Sequence, residues 1–308
     1  MGPTRTHRQP TVDVDLGGHR VSVAEGGLYD RFRMNTDLDE IERNPRVSSV
    51  EFFRQLPKTR VDSPIGPTLT PNFYYRISTA RLIMLAPTSA IRAQIPRELD
   101  PLELIPGIGI VSVMLFRYDI CDIDFYTELG VGVAVRAARH GALGVFDLVT
   151  DLKNDSLHSF VLSLPVSSQI AQVRGRHGYG FPKWVGDLDV NIDQSRASAQ
   201  LLNDDGSVDL RVSAPTPKQS KYESSQRIST LSSYTTVNQA WHCTTSQINV
   251  LSAGRRMFPR GVDLQLGTGR VSEGIRSLRP TRTVQLEVMT EGQLALHMPV
   301  PTSVRHRT

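Results

Sequence analysis

Apolar and polar positions along this chain alternate mainly with a period of two, the spacing of half-buried strands. Glu128-Leu-Gly-Val-Gly-Val-Ala-Val135 is the clearest run: Leu129, Val131, Val133 and Val135 share one face, and Glu128, Gly130, Gly132 and Ala134 the other. A carboxylate followed by three positions with almost no side chain leaves space above that face. A ligand can fill it, and so can a closely packed backbone. The segment from Val185 to Asp193 alternates again, with Leu188, Val190 and Ile192 inward. Further strands are predicted at 73–85, 107–119, 145–151, 159–165, 208–212, 228–237, 240–246 and 283–289, with turns near His140-Gly141 and at Asn203-Asp-Asp-Gly206. Helical signals are short. Asn35 to Glu42 opens like a capped helix with acidic residues in its first turn, 48–56 forms a second, and 87–96 starts and ends on proline. Gly267-Thr-Gly-Arg270 precedes one more cap and short helix, without the lysine-serine ending of a phosphate loop. Residues 1–35 lack sustained periodicity and are predicted to be a polar N-terminal arm, with 36–308 as a single domain. The pattern predicts an α+β, mostly β fold: an antiparallel β-barrel-like core with a few short peripheral helices.

Composition bounds the partners. At 308 residues the chain can bury a substantial core, and its 19 Pro and 23 Gly suit a turn-rich β fold. The formal charge of +4 is spread along the sequence without Lys/Arg blocks interleaved with aromatics, so no nucleic-acid partner is expected. Cys121 and Cys243 lie far apart with no CxxC pair, which suggests neither a zinc site nor a disulfide framework and fits a cytoplasmic protein. No apolar run approaches the roughly 18 residues of a membrane span, and no membrane partner is expected. Met1-Gly-Pro-Thr-Arg-Thr6 meets the letter of the myristoylation pattern, but one fixed glycine is too little to expect the modification. Asp119-Ile-Cys-Asp-Ile-Asp124 crowds three carboxylates together yet lacks the turn glycine and closing glutamate of a calcium loop, so solvated turn carboxylates are expected. No metal or cofactor is implied.

Lysine is scarce: only positions 58, 153, 183, 218 and 221 of 35 basic residues carry it. Four of these have polar or turn-forming neighbours, whereas Lys183 stands between Phe181, Pro182, Trp184 and Val185, as if placed for burial. An ammonium taken out of water is destabilised relative to the free amine. A free amine is a nucleophile that condenses with ketones and aldehydes, as a guanidinium cannot. The competing explanation is a lysine that lays its stem over an apolar patch.

Phe125-Tyr-Thr-Glu128 with its alternating strand, then Gly175-Arg176 and Phe181-Pro-Lys183, resemble the acetoacetate decarboxylase family from about Arg81 to Asp193, with a looser echo over 267–301. The resemblance implies that Lys183 is the Schiff-base nucleophile and Glu128 the pocket carboxylate. It also implies a homo-oligomer acting on a small carbonyl or keto-acid substrate. Three departures stand out. Trp184 occupies the place of a second lysine, a further pocket glutamate would fall at or near Val113, and the family's upstream arginine has only Arg76 and Arg81 as its nearest counterparts. Arg176 and His177 are candidates to hold a substrate carboxylate, and Tyr126 and Tyr179 are candidate pocket donors. With Trp184 in place of a cation, activation of Lys183 is expected to rest on desolvation. The expected activity is carbon-carbon cleavage of a β-keto acid. The same imine would serve an aldolase-dehydratase or a cyclase of secondary metabolism, and a non-catalytic binding relative is the third alternative.

Overall fold

The computed structural model describes residues 10–136 and 156–304. The predicted turn at His140-Gly141, the strand at 145–151, Lys153 and the Met1–Thr6 pattern fall outside them. Seven strands close a ring: β3 (Asn72–Pro87), β4 (Ile108–Cys121), β5 (Tyr126–Ala134), β6 (Ser156–Val166), β11 (Ile228–Val237), β12 (Ala240–Met257) and β14 (Gln285–Leu296). Each pairs with its neighbour in that order and β14 returns to β3; only the β6–β11 contact is parallel. The short β7 (Lys183–Val185) adds in parallel to β6 outside the ring. A second, antiparallel sheet runs β8 (Asp187–Ile192), β9 (Arg196–Leu202), β10 (Val208–Pro215) and β13 (Asp263–Leu266). The fold is mostly β around a barrel, as the period-two pattern predicts.

Alternation decides which core each strand face enters. Leu129, Val131 and Val133 of β5 join Leu188, Val190 and Ile192 of β8 in one large cluster, so the four-stranded sheet covers that face of the ring. Tyr126 belongs to a second cluster with Tyr74, Phe116 and Tyr118. The glycine face of β5 is closely packed. A Cβ on Gly130 would lie 3.2 Å from Leu164 Cδ1, and one on Gly132 would lie 3.2 Å from the Phe160 carbonyl oxygen. Close packing therefore takes the space above Gly130 and Gly132, which leaves Glu128 as the ionisable side chain of that face.

Among the described residues, six short helices flank the sheets: α1 (Leu28–Phe32), α2 (Leu38–Glu42), α3 (Glu51–Arg54), α4 (Thr88–Arg92), α5 (Gln169–Val173) and α6 (Arg270–Leu278). Asp37 caps α2 by accepting from the Asp39 amide at 2.9 Å. At α6 the anion that a helix N-terminus attracts comes from the protein itself. Asp209 of β10, fully buried, accepts from the amides of Val271 and Ser272 at 3.1 and 2.9 Å. Within the predicted polar arm, β1 (Thr11–Leu16) and β2 (His19–Ala24) form a hairpin whose Leu16, Val21 and Val23 pack into the second cluster.

Two expectations are corrected here. The Asp119–Asp124 carboxylates are not solvated: Asp122 is 0% exposed and accepts from Thr36, Tyr75, the Phe73 amide and Lys58 at 2.5 to 2.7 Å. Asp119 pairs with Arg46 and Arg117, each at 3.0 Å, and Asp124 accepts from the Leu28 amide at 2.6 Å. Lys58 in turn is nearly buried, contrary to its polar sequence neighbours, because its partner comes from a turn 64 residues away. Among the described residues no group of three His, Cys, Asp or Glu is placed to hold a metal, and no helix is long and apolar enough to cross a membrane.

Burial sets one pH response. Desolvation holds half-buried His297 below its ordinary value of 6.5, and desolvation followed by His19 and Arg176 does the same for His177. The unfolded chain therefore binds these protons at higher pH than the folded one, so their contribution is present above pH 6.5 and is lost as pH falls through the lowered folded values. The melting temperature should drop between pH 7 and 5.5, and His297→Gln should flatten that slope. An unchanged slope in the variant would remove His297 from the account.

Candidate active site

Lys183 and Glu128 meet across β6. In the sheet register Glu128 lies opposite Val166 and Lys183 opposite Leu164, two positions along the same strand, so both side chains reach over β6 from either side. Lys183 Nζ donates to Glu128 Oε2 at 2.5 Å, with the residues 6% and 5% exposed. The Tyr118 hydroxyl donates to the other carboxylate oxygen at 3.3 Å, and Nζ lies 5.6 Å from the Tyr126 ring centroid. The Tyr126 and Tyr74 hydroxyls hydrogen-bond at 3.1 Å. Burial first, and then nearby acidic and phenolic groups, push Tyr118, Tyr126 and Tyr74 well above the usual phenol range, so all three stay protonated.

The Gly175 to Lys183 spacing has a steric cause. After α5 the chain widens into a π turn, Arg174–Gly178, and Gly180 at φ +72° reverses it toward β7. The Phe181 amide donates back to the Gly175 carbonyl at 2.9 Å. This folds Gly175 onto the lysine stem, where an added Cβ would lie 2.2 Å from Lys183 Cδ. Only glycine lets the stem pass. Gly175→Ala should cost about 1–3 kcal/mol through overpacking. It should also slow carbonyl-adduct formation at Lys183 about a hundredfold, the scale of a 1 Å misplacement. Borohydride trapping beside a urea melt measures both, and an unchanged trapping rate would refute the steric role.

The other sequence candidates scatter. Trp184 is carried to the opposite face of β7, where it packs against the first cluster with the Arg270 guanidinium 4.4 Å from its ring centroid. Val185 is exposed. Trp184 and Val185 therefore do not wall the amine; Tyr126, Glu128 and Gly175 lie against the lysine side chain. Arg176 is exposed and His177 stacks on His19 with ring centroids 4.0 Å apart. Both line a surface hollow of ≈ 220 Å³ with Pro64, Gly180 and Asn238, whose lining does not include Lys183. Tyr179 is buried beside Phe181 and Leu164. Arg76 bonds the Arg46 carbonyl at 2.7 Å and faces Glu291, while Arg81 pairs with Glu287. Val113, fully buried, turns into the first cluster, so no acid stands near Lys183 from that position. Sequence reasoning missed Tyr118 and Tyr74. Their signal is alternation, since Tyr118 is opposite Tyr126 and Phe116 opposite Glu128, and it becomes readable only once the β4–β5 register is known.

Comparison with known proteins bears on this arrangement. No curated protein matches the chain. Among solved structures, an acetoacetate decarboxylase is similar with a TM-score of 0.54 at 12% identity, covering 77% of this chain and 91% of its own. The acetoacetate decarboxylase of Legionella pneumophila gives 0.54 at 14% identity over 85% and 95% of the two chains. The enduracididine biosynthesis enzyme MppR, complexed with pyruvate, gives 0.51 at 12% identity over 76% and 91%. At such identities these likenesses speak for the fold. The sequence evidence is the family model for acetoacetate decarboxylase (ADC), which matches residues 62–298 and so takes in both Glu128 and Lys183. With the barrel, the lysine motif and that match in agreement, the chain belongs to the acetoacetate decarboxylase family.

Proposed function

We propose that this protein is a lyase that condenses Lys183 with a small carbonyl or keto-acid substrate, using Glu128 as proton carrier. The observation that supports this most is the buried 2.5 Å contact between the amine and the carboxylate. A carboxylate at that distance can take a proton from the ammonium, leaving a free amine to attack the carbonyl carbon. The proton then returns to the departing oxygen. In balance, ammonium and ketone become protonated imine and water. With a β-keto acid the imine draws in the electrons of the carbon-carbon bond, carbon dioxide leaves, and the enamine takes up a proton before hydrolysis frees the amine. Tyr118, held protonated, fixes the other Glu128 oxygen and so orients the carboxylate.

The desolvation first expected to activate Lys183 is replaced in this account by proton transfer within the pair. We keep residues 36–308 as one domain of a cytoplasmic homo-oligomer that needs no cofactor, with Tyr126 and Tyr179 near the substrate. Arg176 and His177 are assigned to an outer hollow through which an anion is gathered. Incubation with acetoacetate or pyruvate, borohydride reduction and peptide mass mapping test the central step. The expected result is an adduct on Lys183. Absence of an adduct with every carbonyl compound tried would remove the imine mechanism.

A further inference from the structure

The ≈ 220 Å³ hollow that holds Arg176 and His177 is built from separate parts of the chain. One is the π turn Arg174–Gly178, whose Gly175 touches the Lys183 stem. Arg174 itself is buried, donates to Thr68 Oγ1 at 3.2 Å and does not line the hollow. Another is the β1–β2 hairpin, which lies before residue 62, where the family match begins. It lays His19 on His177 with ring centroids 4.0 Å apart and planes 23° from parallel. Buried Leu16, Val21 and Val23 seat the hairpin, so packing sets the place of His19.

Charge in the hollow has one sign. Its ionisable lining is His19, Arg176 and His177, Asn238 adds an amide, and no carboxylate lines it. Among the described residues Arg176 has no ion-pair partner. The charges acting on His177 are those of His19 and Arg176, and both lower its pKa. Acids on the neighbouring elements are turned to other work or stand outside. Asp13 holds Arg20 and Ser22, and Asp15 accepts from the Gly18 amide at 3.1 Å. Asp62, on the loop that brings Pro64, is exposed and not in the lining, and the turn at Asn238-Gln239 carries no charge. Two stacked imidazolium rings beside a guanidinium repel one another, and a bound anion reverses that balance.

We propose that His19, Arg176 and His177 form a binding site for a doubly charged oxyanion of the phosphate class, inorganic phosphate or a phosphate monoester, separate from the Lys183 pocket. This rests on the assignment of the hollow to anions and not on the imine chemistry. A carboxylate offers two oxygens and one charge, whereas a phosphate group offers at least three acceptor oxygens and close to two charges. That matches a guanidinium fork, two imidazoles and an amide. On binding, the imidazoles take up protons from solvent and donate to the oxyanion. The anion thereby ties the hairpin to the turn that carries Gly175.

The test follows the imidazole proton resonances of His19 and His177 while sulfate, inorganic phosphate or glycerol phosphate is added. Sulfate keeps both charges across the pH range. It should move both resonances saturably and raise their titration midpoints. Its affinity should fall about tenfold between pH 6 and pH 8 as the rings lose their protons. His19→Gln and Arg176→Gln should each weaken sulfate binding about tenfold, the scale of one charge-assisted hydrogen bond. Tighter binding of glycerol phosphate than of inorganic phosphate assigns the site to a monoester, the reverse to the free anion, and either supports it. Resonances unmoved by all three anions, equal sulfate affinity at pH 6 and pH 8, or affinity unchanged in both variants overturns the site. Anion binding without any carbonyl adduct on Lys183 removes the imine reading and leaves this site standing. An adduct without anion binding does the reverse.

Discussion

Lys183→Arg should give a folded protein that forms no adduct with any carbonyl compound and loses about 10⁴-fold or more of its activity, the scale on which deletion of a covalent nucleophile acts. Arginine keeps the positive charge that Glu128 faces, so the buried carboxylate is not left unpaired and the main cost to folding is avoided. It cannot give the reaction a nucleophile, because a guanidinium stays protonated and delocalised. The wider head must also fit beside Gly175, where the lysine stem already lies closer than a Cβ would tolerate. A moderate loss of stability is therefore expected with a complete loss of trapping. A trapped adduct on the arginine variant, or catalysis within tenfold of wild type, would show that the chemistry runs elsewhere.

The second large effect concerns stability alone. Asp122→Ala should cost about 3–5 kcal/mol, the range for breaking a buried ion pair. That is a large share of the roughly 5–15 kcal/mol that holds a typical domain folded. Four donors lose their acceptor at once: Thr36, Tyr75, the Phe73 amide and Lys58. Lys58 suffers most. Its amine also donates to the Met34 carbonyl and lies 4.5 Å from the Phe73 ring centroid, with desolvation already drawing its pKa below 10.5. Without Asp122 that charge has no buried counterpart. Denaturant unfolding of Asp122→Ala, Lys58→Met and the double variant measures the coupling. The double variant should be less destabilised than the sum of the two singles, and strict additivity would refute the pairing.

Legibility in the sequence followed the range of the forces involved. Helix α2 was readable because Asp37 caps an amide two residues away, and the strands were readable because alternation is local. Lys183 was picked out for the right burial and the wrong wall. Its sequence neighbour Trp184 points away from the amine, since successive residues of a strand face opposite sides, and Val185, two positions on, is exposed to solvent. The Asp119–Asp124 carboxylates looked solvated because their partners, Lys58, Thr36 and Arg46, come from segments that no local pattern connects to them. Arg174 carried no signal at all: burial of a guanidinium depends on what the tertiary fold lays over it.

The sequence by itself determined the β character, the alternating face that bears Glu128, and the glycine and lysine spacing by which the family is recognised. These depend on side-chain period and on steric demands within a few residues. The tertiary structure alone decided that Glu128 and Lys183 would touch, that Tyr118 would hold the carboxylate, and that Arg174 and Lys58 would be buried. Each of those outcomes depends on strand register and ring closure, which bring together residues dozens of positions apart and set the charge balance only when the barrel is complete.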